Sequence, residues 1–294
     1  MPAPTPVSPV PASYSGPVPA LTRWGAEGAG QAPTVSYSFA QSGSLWDYQN
    51  AYTQPGQPTL GFAPFTTELQ AATRAVLAAW SAICGLRFVE TADDASGHGD
   101  LRYAFTQYNM SATQLGAAFL PNASDNGGDV WLNASKANEQ FASLAPGTLG
   151  YFTILHETGH ALGLRHPDTP LSDGGNSIFQ SVMSVNAWPG TALTYSGNID
   201  RFPSTPMSWD IDAMRLLYGA NLNTAGDDTV YPFDTLGRYL MTVFDTGGID
   251  TLRVDGTFGA VIDLRPGSWS RIGLPVQVDN GRTIAPDTVQ IYRD

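Results

Sequence analysis

Residues 151–167, Y-F-T-I-L-H-E-T-G-H-A-L-G-L-R-H-P, constrain the fold of this chain more than any other segment. His156 and His160 stand four apart, so a helix stacks both imidazoles on one face, one turn apart, where two nitrogens reach a single metal ion. Glu157 then points to the side, within reach of a metal-bound water that it need not displace. Gly163, three residues beyond the second histidine, is free to take a left-handed backbone, which turns the chain sharply and returns His166 as a third ligand. Three neutral imidazoles leave one position of a four-coordinate zinc open, as in catalytic and not closed structural sites. An isolated H-E-x-x-H also arises when two structural histidines share a helix face. The longer pattern H-E-x-x-H-x-x-G-x-x-H takes three of the four histidines in the chain and favours zinc.

Charge and cysteine content narrow the alternatives. Acidic residues outnumber basic ones 26 to 14, a net charge of -12, which argues against a nucleic-acid binder that must displace counterions from phosphates. The hydrophobic fraction of 42% in 294 residues is ample for a packed core. A lone cysteine, Cys84, excludes an internal disulfide and a cysteine-rich zinc module, and reads as a small buried hydrophobe. No apolar stretch approaches the ~18–20 residues of a membrane helix. The first 20 residues carry many prolines but no basic and apolar regions of a Sec signal peptide, so residues 1–30 read as a flexible leader or pro-segment.

Periodicity places the elements. Thr34–Phe39 alternates as a half-buried strand; further strands are expected at 86–90, 101–105, 116–120 and 129–133. Thr66 or Thr67 caps a helix with apolar residues three and four apart through Trp80, ending near Gly85. A second helix spans about 148–162, stopped by Gly163, and a third about 209–218, stopped by Gly219. Strands mixed with separated helices give an α+β fold. After Asn221 the composition shifts to Asp, Gly, Thr and β-branched residues, so residues 31–221 read as one domain and 222–294 as the mostly β start of another. His98, in a polar stretch, reads as a solvated loop residue.

The chain resembles the metzincin zinc endopeptidases at the zinc motif, and their serralysin branch over roughly residues 17–290. The resemblance is carried by Ser181-Val182-Met183-Ser184 after the third histidine, by residues 206–213 (P-M-S-W-D-I-D-A), by 217–221 (L-Y-G-A-N), by Arg23-Trp24-Gly25 with the strand Thr34–Phe39, and by 228–231 (D-T-V-Y). It implies a metzincin protease domain with a mixed twisted sheet and a long zinc-site helix, and a zinc-dependent endopeptidase acting on protein or peptide substrates. Zinc would be held by His156, His160 and His166, with Glu157 as general base and Met183 as the methionine turn beneath the metal. Gly116, Ala117, Ala118 and Phe119 would form the edge strand along which an extended peptide docks.

The resemblance also pairs Asp245, the Gly247 carbonyl and Asp250 with the Ala225 carbonyl, Asp227 and Thr229. Oxygen donors from two segments suit calcium; metal-free Asp-Gly hairpin turns are the simpler alternative. It further implies a monomer secreted to the extracellular space without a Sec signal. Two departures stand out. Val185 occupies the place of a family tyrosine that reaches the metal, with Tyr195 nearby in sequence, and neither glycine-rich calcium repeats nor an export signal is visible within residues 222–294. Val185 is the one residue favouring a second reading, a catalytically weak metzincin-fold binding or scaffold module.

Overall fold

The computed structural model describes residues 5–10, 13, 15–26, 33–167, 176–188, 191–192, 199–265, 267–278, 282–285 and 287–292. Helix α1, Thr67–Ile83, starts where the Thr66 hydroxyl accepts the Leu69 N–H, and buries Leu69, Ala72, Thr73, Val76, Leu77, Trp80 and Ile83 along one stripe. A five-stranded sheet lies against it in the order Arg87–Glu90, Thr34–Phe39, Leu101–Thr106, Val130–Asn133, Gly116–Ala118. The first three pairings are parallel and the last is antiparallel, so the sheet is mixed and ends at Gly116–Ala118. Leu101–Thr106 is buried along its whole length, as expected of a strand covered on both faces.

Helix α2, Leu149–Ala161, is capped by Thr148 and buried on nearly every side. It packs between α1 and the edge strand, and the Trp80 indole donates to the Leu155 carbonyl at 3.2 Å, crossing from one helix to the other. Its C-terminal carbonyls are satisfied from afar: Trp24 Nε1 donates to Ala161 O at 2.9 Å, and the Tyr218 hydroxyl to Leu162 O at 2.7 Å. Tyr218 closes α3, Ser208–Tyr218. The α+β architecture with mixed sheet and zinc-motif helix is therefore the one expected. Among the described residues no helix is long and apolar enough to cross a membrane.

The proline-rich segment read as a flexible leader is, over its described residues, packed instead. Val7–Pro9 pairs with Thr22–Trp24, and Val18 and Trp24 are buried in the main core. Arg165 N–H donates to Pro19 O at 2.8 Å, and Thr22 Oγ1 to Pro121 O at 2.7 Å. Prolines suit such a strap because its partners need few of its own N–H groups. The opposite, outer face of the sheet carries a smaller aromatic cluster around Tyr52 and Trp131. Beside it the buried Arg102 grips Asp93 with two nitrogens and stacks 3.7 Å over Trp46. His98 joins this layer, bonded to Asp125 at 2.8 Å and to the Gly99 carbonyl at 2.7 Å, so it is not the solvated loop residue expected.

Beyond Asn221 the regular elements among the described residues are all strands. Val230–Asp234 pairs with Thr251–Asp255 in parallel, as Met241–Val243 does with Val289–Ile291. Phe233, Val243, Ile272 and Val289 form a cluster of their own, while Leu240, Val276 and Ala285 join the main core.

Candidate metal centre and cleft

Three imidazoles converge at the end of α2. His166 Nε2 lies 3.2 Å from His156 Nε2 and 3.1 Å from His160 Nε2. Nitrogens bound tetrahedrally to zinc at about 2.0–2.1 Å stand about 3.3 Å apart, so the spacing fits that ion. The tautomers fit as well. His156 Nδ1 faces the Val182 carbonyl at 2.7 Å and His160 Nδ1 the Leu164 carbonyl at 2.8 Å. A carbonyl only accepts, so each Nδ1 carries the hydrogen and each Nε2 presents a bare lone pair. Burial drives His156 well below the ordinary histidine range and His160 down to about 4, favouring the same neutral form. Lone pairs aimed at one point repel unless a cation lies between them. This is the one group of three or more metal-ligating side chains among the described residues.

His166 reaches the other two because Gly163 turns the chain with φ +107, a backbone that strains any other residue. The turn is pinned by the strap through Pro19 and by a bridge between Ala20 and Leu164. Below the histidines lies Met183, fully buried. A Cβ on Gly159, inside the motif helix, would stand 2.4 Å from the Met183 sulfur, so this helix-interior glycine is required by the close approach of the methionine turn. The turn is held by Asp210 of α3, whose carboxylate accepts from Ser181 Oγ at 2.6 Å, Val182 N–H at 2.7 Å and Met207 N–H at 2.8 Å. Sequence reasoning missed this role. An Asp three residues into a helix signals an N-terminal capping residue, but not that it also anchors a loop 28 residues upstream.

Glu157 is 7% exposed and faces the edge strand. A Cβ on Gly116 would stand 2.8 Å from Glu157 Cγ, so Gly116 leaves the room this side chain fills. Burial lifts its carboxyl to about 8, and a cation on the neighbouring imidazoles would pull the other way. His156, Glu157, His160 and His166 line one cleft of about 530 Å³ with Gln114, Gly116, Ala117, Ala118 and Val185. Val185 is 47% exposed there. Phe119 lies beyond the strand's end, on its other face, and Tyr195 lies outside the described residues.

The two acidic segments of the tail meet. Gly248 approaches Asp227, Asp250 Oδ1 accepts the Thr229 N–H at 3.1 Å, and Asp228 Oδ1 accepts that of Ile249 at 2.8 Å. Asp245 accepts the Gly247 N–H at 2.9 Å and the Tyr231 hydroxyl, and Ala225 takes a positive φ of 50. The two segments lead into strands that pair in parallel, Val230–Asp234 and Thr251–Asp255, and so are not the two ends of a hairpin, but Asp227, Asp245 and Asp250 are not gathered into one close set of three carboxylates.

Comparison with known proteins agrees with this geometry. Residues 63–186 match the Peptidase_M10 family, described as matrixin. The chain is 28% identical over 279 residues to a serralysin of Photorhabdus sp. (strain Az29), covering 85% of this chain and 55% of that protein. It is 28% identical over 285 residues to the serralysin of Proteus mirabilis (82% and 58%), and 29% identical over 268 residues to the metallopeptidase AprA of Pseudomonas marginalis (81% and 54%). It thus spans about half the length of the curated relatives it matches. With a mixed sheet ending beside a helix that carries H-E-x-x-H-x-x-G-x-x-H, the chain is similar to the serralysins over most of its length and to the matrixin family over residues 63–186.

Proposed function

We propose that this chain is the catalytic part of a zinc-dependent endopeptidase that hydrolyses peptide bonds of proteins. The observation that carries the reading is the convergence of three Nε2 atoms beside a buried carboxyl in a cleft bounded by a sheet edge. His156, His160 and His166 would hold the zinc. When bound, zinc would polarise the scissile carbonyl and acidify the attacking water. Glu157 takes a proton from that water as it attacks the carbonyl carbon, and delivers it to the amine nitrogen as the carbon–nitrogen bond breaks. The peptide lies extended along Gly116–Ala118, whose free edge offers backbone partners. Casein cleavage with and without a zinc chelator tests the reading. Chelation is expected to abolish cleavage and added zinc to restore it; cleavage indifferent to the chelator would overturn it.

Where the resemblance implies a tyrosine whose hydroxyl would donate a hydrogen bond to the oxyanion, Val185 has no donor but leaves the three histidines in place, so the enzyme is expected to be slower and still active. Val185→Tyr should raise kcat on a peptide substrate by up to roughly 100-fold, the value of one oxyanion donor. The half-exposed position gives a phenol room. A folded variant with unchanged kcat would place that donor elsewhere.

The same reading extends to a monomeric protein working outside the cell, where the tail segments bind calcium through Asp227, Asp245, Asp250, Thr229 and the carbonyls of Ala225 and Gly247. The lone Cys84 is fully buried, so no disulfide braces the fold and calcium would take that part. Saturating calcium at 100 times its dissociation constant adds about 2.7 kcal/mol. The thermal midpoint should rise in millimolar calcium and fall with a calcium-specific chelator. An equal midpoint under both conditions rules the clamp out.

A further inference from the structure

The edge strand has a second face. Phe119 N–H donates to Asp129 O at 2.9 Å and Phe119 O accepts from Gly128 N–H at 3.2 Å, while Leu115 O accepts from Asn133 N–H at 2.8 Å. In an antiparallel pair such inward bonding falls on alternate residues, so Leu115, Ala117 and Phe119 bond inward and Gly116 and Ala118 turn their backbone groups outward. The outward Gly116 carbonyl meets the Gln114 side-chain amide at 3.0 Å, a neutral donor standing where a docked peptide's N–H would stand.

Side chains alternate as well. Gly116 faces Glu157, so Ala117 and Phe119 project to the opposite face. There they line a second pocket of about 180 Å³ with Tyr52, Tyr108, Met110 and Trp131. An apolar cavity of about 150 Å³ takes a benzene molecule, so this one holds a single aliphatic or aromatic side chain. None of its lining residues is charged, and an ionised side chain entering it would lose hydration without a partner. Gln114 and Ala117 line both this pocket and the histidine cleft, so the two spaces meet along one strand.

We infer that this aromatic pocket is a specificity subsite that receives an uncharged apolar side chain from a peptide docked on Gly116–Ala118. The inference rests on the peptidase reading for the docked peptide. A peptide strand added at that edge sends alternate side chains to alternate faces. The residue opposite Ala117 enters the pocket, and its two neighbours face Glu157.

The test uses a zinc-loaded chain and peptides that differ at one position at a time, leucine against lysine. At one position leucine is expected to exceed lysine about tenfold or more in kcat/KM. Gln57 also lines the pocket, so the variant Gln57→Glu, close in shape, adds a negative charge to its wall and should narrow that ratio at that position alone. A profile without such a position, or an unchanged ratio in Gln57→Glu, overturns the subsite. If the parent cleaves none of the peptides, the peptidase reading fails separately, and calorimetric titration with the same leucine and lysine peptides decides. Tighter binding of a leucine peptide supports the subsite, and equal binding or none refutes it.

Discussion

Replacing Glu157 with alanine is expected to slow peptide-bond hydrolysis roughly 10²–10⁴-fold, the usual contribution of a positioned proton-transfer group. Zinc content should stay at one per chain, because the carboxyl is outside the converging imidazole set. The fold should not suffer either. Alanine is the best helix former, and the substitution removes a carboxyl whose burial already disfavours its ionised form. The space opened beside Gly116 belongs to the cleft and admits water. Activity, metal content and thermal midpoint measured on one preparation therefore separate the roles. Unchanged turnover would dismiss Glu157 as the base, and zinc lost in step with activity would make it part of the metal's hold.

The second large effect lies away from the reacting atoms. Asp210→Ala is expected to cost about 3–5 kcal/mol, because the Ser181 hydroxyl and the Val182 and Met207 amides would each be left buried without an acceptor. In a chain of this size that lowers the thermal midpoint by roughly 10 °C. The Val182 carbonyl orients His156, so a loosened turn should also weaken metal affinity. Asp210→Asn keeps an oxygen for the two amides, and its own amide can donate to the Ser181 hydroxyl, so most of the loss should be avoided. Chemical denaturation of both variants checks this. An alanine variant as stable as the parent would show that the turn stands without its anchor.

What the sequence revealed follows the range of the forces involved. The stripe of α1, its Thr66 cap and the alternation of Thr34–Phe39 are local signals, and each lies where local chemistry put it. The zinc motif was legible for the same reason, since its three histidines span one helix and one glycine turn. Strand ends were less so: the expected strand at 116–120 pairs only over Gly116–Ala118, because Gly128 and Asp129 bend away at a turn that also bonds Phe119. Pairings across long stretches of chain left no periodic trace. The proline-rich strap packs because Trp24 finds the end of α2, 137 residues away, and His98 is drawn inward by Asp125. Composition reports the solubility of such segments, not the partner that buries them.

Hydrolysis is expected to depend on one zinc site formed by His156, His160 and His166. Elemental analysis of the purified chain, paired with casein cleavage on the same sample, tests it most directly. The expected result is one zinc per chain in the parent, loss of both zinc and cleavage in His166→Ala, and recovery of cleavage when zinc is returned to chelated parent. Full cleavage by a zinc-free parent, or undiminished zinc in His166→Ala, would contradict it.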